Sequence, residues 1–351
     1  MRNKKHLRQS KMELHMLENK TSNHRNETIE KLKSPFKSLP PVTWVVLAIF
    51  IIFSVTSSGF FTVNNLISIV RQGSFLWMLA TAATIVLLSE ALDLSLGSVM
   101  TLSGVVGALL LKAGYSAPIA ISGGLLVGVA SGTITGMMVS KLKMPSFIAS
   151  LGMLSVVGGL ALALAKANQV LVTDETLLFL GGGDILGIPM PIFVALGVYI
   201  FTYLMLNHSS FGRYIIAIGG NQAGARLSGL DVEKYRWLVF VFSGTVAAIA
   251  GVVLIGRLQT ADPIVGMRWE FDAVAASILG GTSTKKGKGG ITGTIIGVLL
   301  IVIMRNGLNI FSFPALNITS VPAVWQTFVV GSVILIAIVF DILVRNRGKI
   351  S

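Results

Sequence analysis

The 351-residue sequence contains no cysteine and little charge. The absence of cysteine excludes disulfides, thiolate metal sites and cysteine nucleophiles together. Charged residues make up only 12% of the chain, whereas hydrophobic residues make up 53% and the mean hydropathy is +0.79. This apolar content exceeds what a soluble domain needs to fill a core. The composition therefore predicts a membrane protein.

The sequence also lacks a convincing catalytic or metal-binding pattern. The histidines are His6, His15, His24 and His208. All four fall in predicted tails or loops, so a histidine-based metal or catalytic site is not expected. The stretch GGTSTKKGKGG at 280–290 fails as a P-loop, because five residues separate Gly281 from Gly287 and glycine follows Lys288. We predict no enzyme activity, catalytic residue, cofactor or metal in this chain.

The net charge is +13, and its distribution argues against a nucleic-acid partner. The basic residues lie between apolar runs rather than on one face. Residues 1–41 are polar and contain no apolar core of a signal peptide, so we interpret them as a cytoplasmic N-terminal tail. This tail could form an amphipathic helix on the membrane surface or a solvated extension.

Ten apolar runs are candidates for membrane spans, since a crossing needs roughly 20 such residues. They lie near 42–60, 73–90, 96–112, 117–139, 146–165, 190–207, 237–256, 270–283, 290–306 and 323–343. The eighth run, EFDAVAASILGGTS, is short and could be a broken or re-entrant segment. We therefore expect an all-α membrane protein with a transmembrane domain over residues 42–343.

Positive charge predicts the orientation of these spans. With the N-terminus inside, all but six of the 28 Lys and Arg residues face the cytoplasm. The six exceptions are Arg71, Lys112, Lys166, Arg257, Arg268 and Arg305. The positive-inside rule thus favours ten crossings with both termini cytoplasmic, residues 344–351 forming the C-terminal tail.

A glycine ridge marks the fourth span. Its members, spaced by four residues, are Gly124, Gly128, Gly132 and Gly136. At helical spacing these glycines lie on one face and allow a second helix to approach closely. We predict a packing role for them rather than a contact with substrate.

Glu90 and Asp93 are the candidate carboxylates inside the membrane, where an ionisable group is costly unless it has a function. Asp93 and Ser95 are placed to cap the third span at its N-terminus, and we favour this role over proton relay for Asp93. For Glu90, helix capping and proton relay both stay open.

The polar stretch GGNQAGARLSGL at 219–230 predicts a short helix over 222–228 in the largest cytoplasmic connection, 208–236. Asn221 is a good N-cap and Gly229 a good residue for the left-handed position after the helix. Ala223 and Leu227 share a face. We assign docking on a soluble partner to Asn221, Ala223, Ala225, Arg226, Leu227 and Gly229. The alternative is a surface helix at the membrane interface.

The longer run GRYIIAIGGNQAGARLSGLDVEKYR resembles the cytoplasmic coupling segment of the ribose-type, carbohydrate-uptake permeases of bacterial ABC importers. Other similar stretches are LDLSLGSVMTLSG, MPSFIASLGMLSVVGGLAL, EFDAVAASILGGTS and GGITGTIIGVLL. The similarity covers roughly residues 45 to 343. It departs from the family's pattern at Glu90 and Ala91, where two glycines are usual, and at Arg305, where a small or polar residue is common.

This resemblance implies the type II importer permease fold in a bacterial plasma membrane. It also implies a second permease copy or a related permease, an ATP-binding subunit that carries ATP and Mg, and an extracytoplasmic sugar-binding protein. The expected function is passage of ribose or a related small polar solute. An ion-coupled secondary transporter acting alone is the alternative, and it predicts intramembrane carboxylates. A membrane-embedded sensor would be expected to carry an appended signalling domain, and the sequence predicts none.

Overall fold

The computed structural model describes residues 42–57, 59–283, 287–311 and 322–347. The predicted N-terminal tail, Lys285, Lys286 and the last residues of the C-terminal tail lie outside them. The helices are α1 Val42–Thr56, α2 Val63–Leu88, α3 Leu96–Lys112, α4 Ala117–Ser140, α5 Ser146–Leu164, α6 Glu175–Gly182, α7 Met190–His208, α8 Ser210–Gly220, α9 Gln222–Leu227, α10 Val232–Leu258, α11 Trp269–Leu279, α12 Ile291–Ile310 and α13 Ala323–Arg347. The four strands are β1 Val170–Leu171, β2 Asp184–Ile185, β3 Ile188–Pro189 and β4 Thr260–Ala261.

Each of the ten predicted spans overlaps a helix. Within the described ranges, six helices could cross a membrane by length and composition, and these are α2, α4, α5, α7, α10 and α12. The chain is thus a mostly helical, multi-pass membrane protein. Shorter apolar helices are α1, α3 and a part of α13 over 325–336. The sequence did not predict α6 and α8, nor the antiparallel pairs β1–β4 and β2–β3.

Two of the predicted starts are wrong by more than a turn. The second span was expected to begin at residue 73, but α2 begins at Val63. Its first turns contain Asn65, whose side-chain amide exchanges hydrogen bonds of 3.0 and 2.9 Å with the amide of Asn306 in α12. This pairing satisfies polar groups that a hydropathy scan counts only as unfavourable. The seventh span similarly begins five residues earlier than expected, at Val232.

Helix α10 forms the centre of the molecule and packs against α2, α3, α4 and α6. Its second half, from Ser243 to Gly256, is mostly buried. A helix that is apolar on all sides is stable only when protein or lipid surrounds it, and here protein does so. These four helices are therefore positioned by their contacts with α10.

The glycine ridge of α4 lies against α10. A Cβ atom placed on Gly128 would lie 2.3 Å from the carbonyl oxygen of Gly244, and one on Gly132 would lie 2.3 Å from that of Phe240. Lipid offers no hydrophobic force to drive helices together, so their association depends on close van der Waals packing. Glycine permits such packing because it has no side chain to separate the two backbones. The two helices thus gain dispersion contacts along most of their length.

Helices α3 and α11 begin inside the bundle rather than at its surface. Residues 89–95 and 259–268 are largely non-helical, and they bring the first residues of α3 and α11 together. A Cβ atom on Gly97 would lie 2.2 Å from both the Glu270 carboxylate and the Gly266 carbonyl oxygen. Asp93 accepts a hydrogen bond from Ser243, eleven residues or about 16 Å into the 27-residue α10. Irregular backbone at this depth is tolerated because protein surrounds it.

Candidate functional site

The bundle has two ends, which we name after the elements they carry. The hairpin end contains β2, β3 and the beginning of α2, where Arg71 forms an ion pair of 3.2 Å with Asp184. The α9 end contains α8, α9 and the end of α2, since a Cβ atom on Gly219 would lie 1.9 Å from the carbonyl oxygen of Leu88. The stretch of α2 from Arg71 to Leu88 separates these ends by about 26 Å.

At the α9 end, local capping determines the path of the chain. The side chain of Asn221 accepts a hydrogen bond of 2.9 Å from the amide of Gly224 and begins α9. Gly229 has φ +82°, and the amide of Leu230 bonds back to the carbonyl of Ala225 at 3.1 Å. This is the Schellman arrangement, in which glycine takes the left-handed position after the helix. Helix α9 is thus six residues long and has a defined cap at each end.

The residues of α9 divide into a buried and an exposed set. Ala225 is buried with Ile218 and Val232, so this member of the predicted docking set belongs to the chain's own core. Ala223, Arg226 and Leu227 are exposed, and Leu227 is 89% exposed. The predicted docking surface is therefore reduced to the exposed residues.

Arg226 has a charge partner within this chain. Its guanidinium lies 2.5 Å from the Glu233 carboxylate at the start of α10, and the Lys143 ammonium contacts the same oxygen. All three side chains are at least one-third exposed. Exposed pairs contribute only about 0–1 kcal/mol each, so this cluster orients α9 more than it stabilises the fold.

Helix α8 joins α9 to the membrane-spanning helices. Besides its contact with the end of α2, it lies against the loop before α12, because a Cβ atom on Gly287 would lie 2.5 Å from the carbonyl oxygen of Ile216. Gly287 has φ +55°, a conformation that glycine adopts without strain. A force on α9 therefore has direct backbone contacts through which to reach α2 and α12.

The polar residues after α2 differ in part from the prediction. Asp93 is buried, and its carboxylate accepts hydrogen bonds from Ser243 at 2.8 Å and from the Ser95 amide and hydroxyl at 2.9 and 2.6 Å. Ser95 occupies the N-cap of α3, but its side chain makes no capping bond. Side-chain capping of α3 by this pair is thus wrong, because Ser95 donates to Asp93, and Asp93 in turn accepts from Ser243 of α10. Glu90 is exposed and has φ +58°.

The interpretation that Glu90 and Asp93 are the candidate intramembrane carboxylates is incomplete. Glu270 and Asp272, in the first turn of α11, are 4% and 8% exposed. Asp272 forms an ion pair of 2.5 Å with Arg305 of α12, whereas Oε2 of Glu270 is buried without a hydrogen-bond partner among the described residues. The signal available in the sequence was two acidic residues at the start of a short apolar run. In the described part of the chain, no group of three or more histidine, aspartate or glutamate residues is arranged to hold a metal ion.

A cavity of about 280 Å³ opens nearer the hairpin end, between α2, α10, α11, α12 and α13. Its polar and aromatic lining consists of Gln72, Arg257, Trp269, Arg305, Asn309 and Gln326. Leucine and valine side chains complete the wall. A mostly apolar cleft with a few convergent polar groups is the usual form of a small-molecule site.

The class of protein follows from this architecture together with its relatives. Residues 65–338 match the family described as the permease component of the branched-chain amino acid transport system. The match covers most of the helical bundle, so the chain belongs to this family of transport permeases.

More specific relatives are named as sugar permeases. The chain is 37% identical over 300 residues to the ribose import permease protein RbsC of Escherichia coli (strain K12), covering 84% of this chain and 91% of that protein. It is 36% identical over 307 residues to the D-allose transport system permease protein AlsC of the same organism, covering 87% and 92%. The L-arabinose ABC transporter permease protein AraH of Azospirillum brasilense is 32% identical over 308 residues, covering 88% of each chain. The resemblance to carbohydrate-uptake permeases is confirmed.

Proposed function

We propose that this chain is the permease subunit of an ATP-driven ABC importer and forms the passage for a sugar, either ribose or a related pentose or small polar solute. The observation that carries the proposal is the similarity to ribose, allose and arabinose permeases along nearly the whole length of each. In this proposal the ten helices cross a bacterial plasma membrane in the type II arrangement, and both termini face the cytoplasm.

The proposed assembly contains three partners. A second copy of this chain, or a related permease, completes the passage, and an extracytoplasmic sugar-binding protein delivers the solute at the hairpin end. An ATP-binding subunit docks at the α9 end and holds ATP and Mg. This orientation agrees with the charge distribution, because Lys143, Arg226 and Lys234 lie toward the α9 end.

In this assembly α9 and its caps couple the ATP-binding subunit to the membrane helices. Leu227 is the apolar side chain that α9 presents outward, and Ala223 leaves room beside it for a groove of the partner. Helices laid into grooves of a partner use such exposed apolar anchors. The contacts of α8 with α2 and with Gly287 then transmit the partner's movement into the bundle.

The test replaces Leu227 with glutamine in the complete importer. Burying a leucine contributes about 1.5–3 kcal/mol, so we expect Leu227→Gln to lower the affinity for the ATP-binding subunit about 10- to 100-fold. Co-purification of that subunit and transport-stimulated ATP hydrolysis in vesicles are the measurements. The matched control is Leu186→Gln, since Leu186 is 99% exposed at the opposite end, in the β2–β3 turn.

Equal capture of the ATP-binding subunit by both variants would show that α9 is a surface helix at the membrane interface. Because Leu227 contributes nothing to the core, a folding defect would not imitate the expected loss. Thermal stability equal to that of the parent protein in both variants verifies this point.

A second candidate, the ion-coupled transporter acting alone, is favoured by one observation. Glu270 and Asp272 are buried carboxylates of the kind that proton-coupled transporters use. The two functions differ in their energy source. Uptake by vesicles containing this chain alone, driven by a proton or sodium gradient and insensitive to ATP, would support the second function and overturn the first.

A further inference from the structure

The cavity near the hairpin end carries an unbalanced positive charge. Among the described residues, its lining includes two guanidinium groups, those of Arg257 and Arg305, and no carboxylate. Arg305 is balanced from behind the wall by Asp272 at 2.5 Å. For Arg257, no described carboxylate lies within ion-pair distance. The cavity therefore has a surplus of one positive charge, which belongs to Arg257.

The surroundings of Arg257 compensate this charge only in part. The guanidinium carbon lies 5.5 Å from the centroid of the Phe75 ring, a cation–π contact worth about 0.5–2 kcal/mol. The nearby Arg71 repels it, and Arg71 itself pairs with Asp184. Keeping a half-buried guanidinium charged without an ion-pair partner costs free energy, unless an anion binds to it. A neutral solute would leave that cost in place.

The remaining lining suits a polyhydroxylated molecule. Trp269 offers an aromatic surface, and Gln72 and Asn309 carry side-chain amides that can donate to and accept from hydroxyl groups. The volume of about 280 Å³ lies just below the usual range for ligand sites, which is about 300–1,000 Å³, and so favours a single small ring. One surplus charge matches one carboxylate better than a phosphate ester, which carries about −1.5 to −2.

We propose that this cavity binds a monosaccharide acid, with its carboxylate on the Arg257 guanidinium and its hydroxyl groups on the amides beside Trp269. The proposal rests on the proposed function and names the substrate class. Arginine suits the role because its planar fork can donate two parallel hydrogen bonds to a carboxylate. The named relatives are ribose, allose and arabinose permeases, so an acid preference would distinguish this chain from them.

The test measures binding of matched acid and neutral sugars to the full chain in lipid nanodiscs by titration calorimetry. The probes are D-galacturonate, D-glucuronate and D-mannuronate, each compared with its parent hexose. We expect at least one uronate to bind about tenfold or more tightly than its parent, because a charge-assisted hydrogen bond is roughly twice as strong as a neutral one. This preference should shrink at high salt.

Two variants identify the source of the preference. Arg257→Gln should remove the discrimination while changing the affinity for the neutral hexoses less than about threefold. Arg257→Lys keeps the charge but loses the planar fork, so it should retain only part of the discrimination. Arg305 is unsuitable for this purpose, since its loss would leave Asp272 buried without a partner.

Three results would overturn the proposal: hexoses that bind as tightly as their uronates, a preference that survives in Arg257→Gln, or no binding of any probe. Capture of the ATP-binding subunit by the same preparation is measured in parallel. If capture is normal while the uronates fail, the acid site is wrong and the permease function stands. If capture is absent, the proposed function itself is in error.

Discussion

Gly128 offers a sharp test of how the bundle is held together. A Cβ atom at this position would lie 2.3 Å from the carbonyl oxygen of Gly244 and 2.4 Å from the Cβ atom of Ala248. Real Cβ atoms essentially never come closer than 3.0 Å to another heavy atom, and the first of these neighbours is backbone that cannot rotate away. In Gly128→Ala, α4 and α10 must therefore separate locally by about 0.7 Å or more.

The size of the effect follows from this displacement. A gap of about 0.5–1 Å forfeits a quarter to a half of the attraction between atoms in contact, and overpacked cores lose about 1–3 kcal/mol. Alanine returns about 0.5–1 kcal/mol through its better helix propensity. We expect a net loss of about 1–2 kcal/mol of stability in Gly128→Ala. The loss arises from the packing of α4 on α10, because the substitution adds only one methyl group.

The assay compares thermal unfolding in detergent of Gly128→Ala with that of Gly152→Ala and Gly197→Ala. These two glycines lie within α5 and α7, and a Cβ atom on either would meet nothing within 4 Å. The controls should be neutral or slightly stabilised, so the test variant should unfold about 2–4 °C below them. Unfolding of all three at one temperature would show that the two helices do not pack this closely.

Two further predictions concern α11 and the end of α9. Asp272→Ala leaves the partly buried Arg305 without its partner and should destabilise the protein by about 2 kcal/mol. Adding Arg305→Met to this variant should recover much of the loss. Additive losses in a double-mutant cycle measured by thermal unfolding would contradict the pairing. Gly229→Ala should lower the free energy of unfolding by about 1 kcal/mol, because alanine is strained at a φ of +82°. No described atom lies within 4 Å of the added methyl group, so a steric clash does not contribute. The measurement is the same thermal unfolding, and stability equal to that of Gly152→Ala would refute the left-handed conformation.

The positions of the helices could be predicted because apolar length is a local property. Runs such as 96–112 and 146–165 coincide with α3 and α5 to within a residue. The prediction failed at the start of α2, where Asn65 is satisfied by Asn306, 241 positions away in the chain. A hydropathy scan assigns the cost of each polar side chain but does not detect the partner that removes it. Helix α8 was missed for a different reason, since its 11 residues are too few for a scan that looks for runs of roughly 20 apolar residues.

The candidate site shows the same division between local and long-range information. The caps of α9 could be predicted from the sequence, because Asn221 and Gly229 act on neighbouring residues. The burial of Ala225 could not be predicted in this way, since it depends on Ile218 and Val232 in the two flanking helices.

The pairing of Arg305 with Asp272 belongs to the long-range class as well. In the sequence, each is a separate charge in an apolar run, and no periodicity connects two residues that are 33 positions apart on different helices. In the structure, the Asp272 carboxylate neutralises the Arg305 guanidinium, so Arg257 is the cavity arginine whose charge a ligand can neutralise. A family resemblance could mark Arg305 as unusual, but only its geometry shows that Arg257 carries the unbalanced charge of the cavity.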